Sequence, residues 1–97
     1  MSYRFEAPLW EWRSRANWFF VSLPFAVADE IEAKAQGYER GFGSVRVKAR
    51  VGATVWRTSI FPESDTYVLP IKKQVRDAEG LARDAPVAVE LELVDLG

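Results

Sequence analysis

The chain contains no cysteine and no histidine, and these absences exclude several kinds of chemistry. Without a thiol there is no disulfide framework and no thiolate nucleophile. Without an imidazole the chain lacks the commonest general base and the usual nitrogen ligand of zinc, copper and iron. The acidic residues are scattered and lack the spacing of a calcium loop. We therefore expect no metal, no cofactor and no identifiable catalytic residue.

Long apolar runs and a targeting signal are also missing. No stretch approaches the roughly 20 apolar residues needed to span a bilayer, and MSYRFEAPLW lacks the basic-then-apolar pattern of a signal peptide. The composition, 48% hydrophobic and 28% charged, is that of a globular protein. We expect one soluble, cytoplasmic domain over residues 1–97, without membrane contact. The net charge of −1 makes nucleic acid an improbable partner.

Hydrophobic periodicity predicts a mostly β chain of about six strands and two short helices. The strands are expected at 3–12, 18–23, 45–51, 54–61, 66–69 and 86–94. The helices are expected at 26–36 and 71–79, with Pro70 in the first turn of the second, and residues 62–65 are expected to form a loop.

The two halves of the chain share one pattern. SLP, a helix, Gly37 and the strand VRVKARV form one unit; VLP, a shorter helix, Gly80 and the strand VAVELEL form the other. This suggests a β-barrel with an internal pseudo-two-fold and one helix per half; chance similarity between two segments is the alternative. A chain that repeats its unit internally need not dimerise to close a barrel, which slightly favours a monomer.

Three stretches carry a resemblance to a known family: FGSVRV at 42–47, VWRTSIFP at 55–62 and YVLPIKKQVR at 67–76. They resemble DUF1905, an uncharacterised bacterial family placed among the double-split β-barrels. The resemblance implies that fold and almost no function. DNA-binding barrels of the AbrB and MazE type are distant relatives by fold, which does not transfer activity. Asp65-Thr66 and Asp84-Ala85 depart from glycine-containing family patterns, and we expect both to alter turns.

The first candidate site is the basic strand face, formed by Arg46, Lys48 and Arg50. As a functional feature it would contact phosphates in a DNA-binding regulator. As a structural feature it would pair with Glu90 and Glu92 on the last strand, where opposite charges contribute about 0.2–1 kcal/mol per pair. Pairing is the favoured interpretation.

The second candidate lies at the start of the second helix. Lys72 and Lys73 place positive charge where the helix dipole prefers acids, and with Arg76 they would suit a phosphate or carboxylate. The alternative is that Glu63 and Asp65 neutralise the lysines.

The third candidate comprises Trp56, Arg57, Ser59 and Tyr67, which could line a pocket mouth. A core position is favoured for Trp56, and Ser59 has no histidine to activate it. A pair of tryptophans, Trp10 and Trp12, shares a strand face; burial against the first helix is favoured over an exposed partner surface.

These features give three functional hypotheses in order. The first is a binding module for an anionic or amphipathic small molecule, or for a protein partner, using Trp56, Arg57, Lys72, Lys73 and Arg76. The second is the DNA-binding regulator. The third is a histidine-free enzyme that acts through arginine and lysine electrostatics.

Overall fold

A computed structural model describes residues 2–95 of the chain. The six strands are β1 (Ser2–Glu11), β2 (Phe19–Ser22), β3 (Val45–Val51), β4 (Thr54–Glu63), β5 (Thr66–Pro70) and β6 (Pro86–Leu93). The two α-helices are α1 (Phe25–Ala35) and α2 (Lys73–Glu79), and a short 3₁₀ turn covers Gly41–Gly43. Neither α-helix in this range has the length and apolar character needed to cross a membrane.

The strands close into a barrel in the order β1-β2-β5-β4-β3-β6, with β6 returning to β1. Every neighbouring pair is antiparallel. The predicted mostly β barrel of six strands with two short helices is therefore confirmed. Closure gives each strand a hydrogen-bonded neighbour on both sides over part of its length, which limits the edges open to aggregation.

Strict alternation along the strands fills the barrel interior. On β3, Val45, Val47, Ala49 and Val51 are buried, whereas Arg46 and Arg50 are exposed. Facing strands contribute further fully buried side chains of large volume, namely Leu9, Ile60, Leu69 and Leu91. Ile31 of α1 and Ile71, which follows β5, complete this set. The period of two thus separates an apolar interior from a charged outer face, as expected for a small barrel.

The helices close the core through short apolar stripes. Ala28, Ile31 and Ala35 of α1 are buried, and Val75 is the buried residue of α2. Gly80 ends α2 in the left-handed conformation, with φ of 61°, which glycine adopts without the steric cost of a Cβ.

Two predicted boundaries are wrong. Pro70 is not in the first turn of α2: it is the last residue of β5, opposite Phe20, and α2 begins at Lys73. The chain stays extended because the Ile71 backbone N–H donates to the Phe19 carbonyl at 2.9 Å and the Ile71 side chain is buried. The expected loop at 62–65 is shorter, since β4 continues to Glu63 and pairs there with Thr66.

Candidate functional site

An apolar floor lies on the outer face of the barrel where β2, β5 and β4 are neighbours. Val21 and Leu69 point into the core and have no exposed surface, so alternation turns Phe20, Val68 and Pro70 outward. Phe20 on β2 lies opposite Pro70 on β5, and Val68 on β5 lies opposite Phe61 on β4. The apolar surface thus extends across these three strands. Phe20 and Val68 are only 8% and 3% exposed, so neighbouring side chains already cover most of this floor. The outer face of a small barrel is ordinarily polar, which makes an apolar floor here an unusual feature.

Aromatic rings from the β1–β2 connection form a wall above the floor. The ring centroids of Trp12 and Phe20 are 5.5 Å apart, and Trp18 meets Phe20 edge-on at 6.2 Å. Trp18 remains 46% exposed and Phe61 38% exposed. Floor and wall enclose an open cleft of about 780 Å³, a volume within the usual range of small-molecule sites.

Three cations from the start of α2 border this cleft, and two of them already have partners. Arg76 donates from Nη1 to the Ile71 carbonyl at 2.8 Å, with its guanidinium 4.2 Å from the centre of the Phe19 ring. Lys73 Nζ lies 2.6 Å from Asp77 Oδ2. Lys72 is exposed and forms no ion pair within residues 2–95. It is thus the cation at the rim that is available to a ligand.

The predicted neutralisation of the lysines involves a different acid. Asp77, one helical turn away, pairs with Lys73. Glu63 lines the same cleft without an ion pair in the described range, and Asp65 lines a neighbouring cavity. The cleft therefore carries one carboxylate, that of Glu63, in addition to its basic rim. No group of three or more potential metal ligands occurs among residues 2–95.

The third candidate group is divided by the fold. Trp56 and Tyr67 are core residues, 9% and 7% exposed. Burial raises the pKa of the Tyr67 phenol, and the nearby carboxylates of Glu32 and Glu39 add to that shift. Arg57 and Ser59 point outward from β4 toward β3, where they lie opposite Lys48 and Arg46. None of the four lines the cleft with Lys72.

The basic strand face lies beside the acidic strand. Lys48 Nζ is 3.1 Å from Glu92, which is opposite it on β6. Glu90 lies between Arg50, at 3.7 Å, and Arg4 of β1, at 3.5 Å. The predicted cross-strand pairing is confirmed for Lys48 and Arg50; Arg46 has no ion pair in the described part of the chain.

The pKa of Glu92 reflects the pairing of its carboxylate with Lys48. A hydrogen bond from Lys48, together with the charges of Lys48 and Arg57, lowers the pKa of Glu92 below its ordinary value of 4.5. The ionised form is favoured because the cation is close in the folded state.

The tryptophan pair belongs to the aromatic surface beside the cleft. Trp10 stacks on Phe20 at 5.2 Å and lies 5.6 Å from Trp12, and its indole N–H donates to Ser22 Oγ at 2.9 Å. The favoured packing of this pair against α1 is not what its ring contacts show, since they are to Phe20 of β2.

Sequence reasoning missed the apolar floor. The stretch WFFVSL at residues 18–23 predicts a largely buried strand, and Phe20, Val21 and Leu23 are indeed 8%, 0% and 3% exposed. The pattern did not indicate that Phe20 lies on the outer face of the barrel. The signal in the sequence was that apolar residues occupy both the inward-facing and the outward-facing positions of β2 and β5. In the described part of the chain, the barrel has no second sheet over the outward-facing positions of these strands. Such a pattern marks either a covered sheet or a binding surface.

Comparisons with known proteins identify a family and supply no activity. No curated protein sequence matches the chain. A family model described as a domain of unknown function, DUF1905, matches residues 5–91, which include β2 to β5, both helices and most of β1 and β6. The chain therefore belongs to the DUF1905 family.

Proposed function

We propose that the protein is a small binding module whose ligand is an amphipathic organic anion held in the aromatic cleft. The observation that carries this proposal is the combination of an apolar, aromatic-walled cleft on the outer barrel face with the unpaired ammonium group of Lys72 at its edge. An apolar ring or chain would lie on Phe20, Phe61 and Val68, and an acidic group would face Lys72.

The apolar part of the ligand would contribute most of the affinity. Burial of about 100 Å² of apolar surface stabilises a complex by about 2.5 kcal/mol before the costs of association. Stacking on an exposed aromatic ring such as Trp18 adds to this.

The charge pattern supports a ligand with a single negative group. Lys73 is paired with Asp77 and Arg76 is tied to the Ile71 carbonyl, so the rim offers one unpaired cation in the described chain. Glu63 on the same cleft would repel a second negative charge.

The other hypotheses have less support. A DNA-binding regulator would use Arg46, Lys48 and Arg50, and the charges of Lys48 and Arg50 are engaged by Glu92 and Glu90. An enzyme without histidine would have to use another general base, and Glu63 is the one carboxylate among the residues that line the cleft. A protein partner is a weaker alternative than a small molecule, because the apolar surface is concave and bordered by one unpaired cation.

Three further expectations remain part of the proposal: a cytoplasmic location, a monomer, and an origin of the fold by internal duplication. The adjacency of β3 and β6, the corresponding strands of the two units, is in keeping with duplication.

The test uses two probes of matched shape that differ in charge. Binding of naphthalene-2-sulfonate and neutral naphthalene-2-sulfonamide would be measured by tryptophan fluorescence and calorimetry. We expect the sulfonate to bind more tightly, and Lys72→Gln to weaken it about three- to fivefold, the range of one exposed charge pair. The sulfonamide should be unaffected by the substitution.

The matched control is Lys34→Gln, which removes an equally exposed lysine on α1. It should leave both affinities unchanged. Absence of saturable binding of either probe, or equal effects of the two lysine substitutions, would contradict the proposal.

A further inference from the structure

The carboxylate of Glu11 joins two segments of chain at one side of the cleft. Its Oε2 accepts the Asn17 backbone N–H at 2.8 Å, and its Oε1 accepts a bond from Arg83 Nη1 at 2.7 Å. The side chain of Glu11 is only 22% exposed. Both oxygens of one residue at the end of β1 are therefore used to hold other parts of the structure.

The first of these segments carries the aromatic wall. Trp12, Asn17 and Trp18 all line the cleft, and they belong to the connection between β1 and β2. The backbone N–H of Trp12 donates to the backbone carbonyl of Trp18 at 2.7 Å, and Asn17 has a left-handed backbone conformation with φ of 69°. The conformation of this connection thus depends on a small number of hydrogen bonds, one of which ends on Glu11.

The second segment follows α2, the helix that carries Arg76 and begins beside Lys72. Arg83 lies between α2 and β6. By holding Arg83 and Asn17 together, Glu11 connects the aromatic wall with the segment that leaves the basic helix.

We infer that Glu11 is the positioning residue of the cleft: it fixes Trp12 and Trp18 in the arrangement that receives the apolar part of the ligand, without touching the ligand itself. Glu11 does not line the cleft. This inference rests on the proposed function for the identity of the site.

A carboxylate suits this role because two donors approach it from different sides. The Asn17 N–H is the main cause that lowers the pKa of Glu11, followed by the hydrogen bond and charge of Arg83 and the charge of Arg76. Glutamine in its place would keep an oxygen for the Asn17 N–H but would lose the charge that pairs with Arg83.

The experiment compares Glu11→Ala, Glu11→Gln and Arg83→Gln, with Glu6→Ala as the matched control. Glu6 is an exposed acid of the same strand and forms no ion pair in the described chain. We expect Glu11→Ala to weaken naphthalene-2-sulfonate and naphthalene-2-sulfonamide alike, by about five- to tenfold, because the wall must be ordered on binding. Glu11→Gln should keep most of the wild-type affinity for both probes. Arg83→Gln should lower this affinity about twofold, and Glu6→Ala should leave it unchanged.

A second measurement needs no ligand. The indole N–H signals of Trp12 and Trp18, and the exchange rate of the Asn17 amide, would be recorded by NMR for each variant. Glu11→Ala should shift both indole signals and speed the exchange, whereas Glu11→Gln and Glu6→Ala should leave them near the wild-type values.

These readouts separate the two proposals. If the wild type binds neither probe, the proposed function fails, and the NMR signals alone decide the role of Glu11. If the wild type binds and Glu11→Ala binds equally tightly with unchanged indole signals, the positioning role is overturned while the binding function stands. If Glu11→Ala does not fold, Glu11→Gln decides the point, because glutamine keeps an oxygen for the Asn17 N–H. A loss of affinity of about five- to tenfold in Glu11→Gln would then overturn the role of the Asn17 bond.

Discussion

Gly52 lies in the turn between β3 and β4, and its lack of a side chain leaves room for Glu79 at the end of α2. Its φ is +60°, and a Cβ built there would overlap the carboxylate of Glu79. That carboxylate accepts a hydrogen bond from the Thr54 hydroxyl at 2.6 Å. Gly52 therefore serves both the turn between β3 and β4 and the approach of the end of α2 to this hairpin.

We expect Gly52→Ala to lower the free energy of unfolding by about 2 kcal/mol. About 1 kcal/mol comes from the left-handed backbone, and about 1 kcal/mol from displacing Glu79 from Thr54. Denaturant unfolding would measure the loss.

Two other glycines serve as controls for this substitution. Gly80 has nearly the same φ, +61°, and no atom within 4 Å of its Cβ position, so Gly80→Ala should show the backbone cost alone. Gly41 has neither a positive φ nor a neighbour there, and Gly41→Ala should be near neutral. Equal losses for Gly52→Ala and Gly80→Ala would contradict a role for Glu79.

At the residue scale, sequence reasoning identified side chains whose environment depends on local pattern. It favoured the core for Trp56, and it selected Lys72, Lys73 and Arg76. It did not distinguish the three cations, because their pairing depends on the exact start of α2. An i,i+4 relation links Lys73 to Asp77, whereas the extended chain at Ile71 leaves Lys72 outside the helix.

At the scale of elements, β3 and β6 are joined by charge as well as by backbone hydrogen bonds. Across the sheet, Arg57, Lys48 and Glu92 follow one another on β4, β3 and β6. Arg50 and Arg4 lie on either side of Glu90 on the next row. Like charges opposite each other, as in Lys48 and Arg57, are tolerated because the acid lies beside them.

This pairing predicts a pH dependence for Glu92. The pKa of Glu92 is lowered in the folded state, so its stabilising contribution is complete above the ordinary value of 4.5 and is lost as the pH falls through the lowered value. At pH 7 the wild type should be more stable than Glu92→Gln, and the difference should close under acid conditions. Chemical unfolding of both proteins from pH 7 to pH 3 would measure it.

Glu6→Gln provides the control, since Glu6 has no ion pair among residues 2–95. It should match the wild type closely at pH 7. Added salt should also narrow the gap between the wild type and Glu92→Gln at pH 7, because both charges are partly exposed. A gap that stays constant to pH 3 would show that Lys48 does not interact with the Glu92 charge.

The strands and helices were predictable because each has a clear period, and the shared pattern of the two units indicated β3 and β6 as neighbours, which they are. Pro70 was misplaced because a proline fits both the first turn of a helix and the end of a strand. Its tertiary contact with Phe20, which decided between them, is not visible in the local sequence.

At the scale of the whole molecule, the cleft arises from barrel closure. Curvature brings β2, β5 and β4 together on one side, and the β1–β2 connection stands above them. Its lining comes from five separate parts of the chain, so no single motif predicts it. The basic rim could be predicted from the sequence, whereas the apolar floor could be recognised only from the fold.

Closure also predicts that the molecule unfolds as one unit. Leu91 of β6 is fully buried and lies between Tyr3 of β1 and Ala49 of β3, so it packs at the junction that closes the barrel. Leu91→Ala should lower the free energy of unfolding by about 2–5 kcal/mol. Tryptophan fluorescence, which reports mainly on the β1–β2 side, and far-UV circular dichroism should show the same shifted midpoint.

The control for Leu91→Ala is Val55→Ala, which shortens a side chain that is 45% exposed on β4 and should cost less than about 1 kcal/mol. Loss of the β6 contacts cannot be confined to one half of a closed barrel, because each strand is hydrogen-bonded on both sides. If the fluorescence and dichroism midpoints of Leu91→Ala separated, the β1–β2 side would be stable without closure, and the aromatic cleft would then be a property of that half rather than of the barrel.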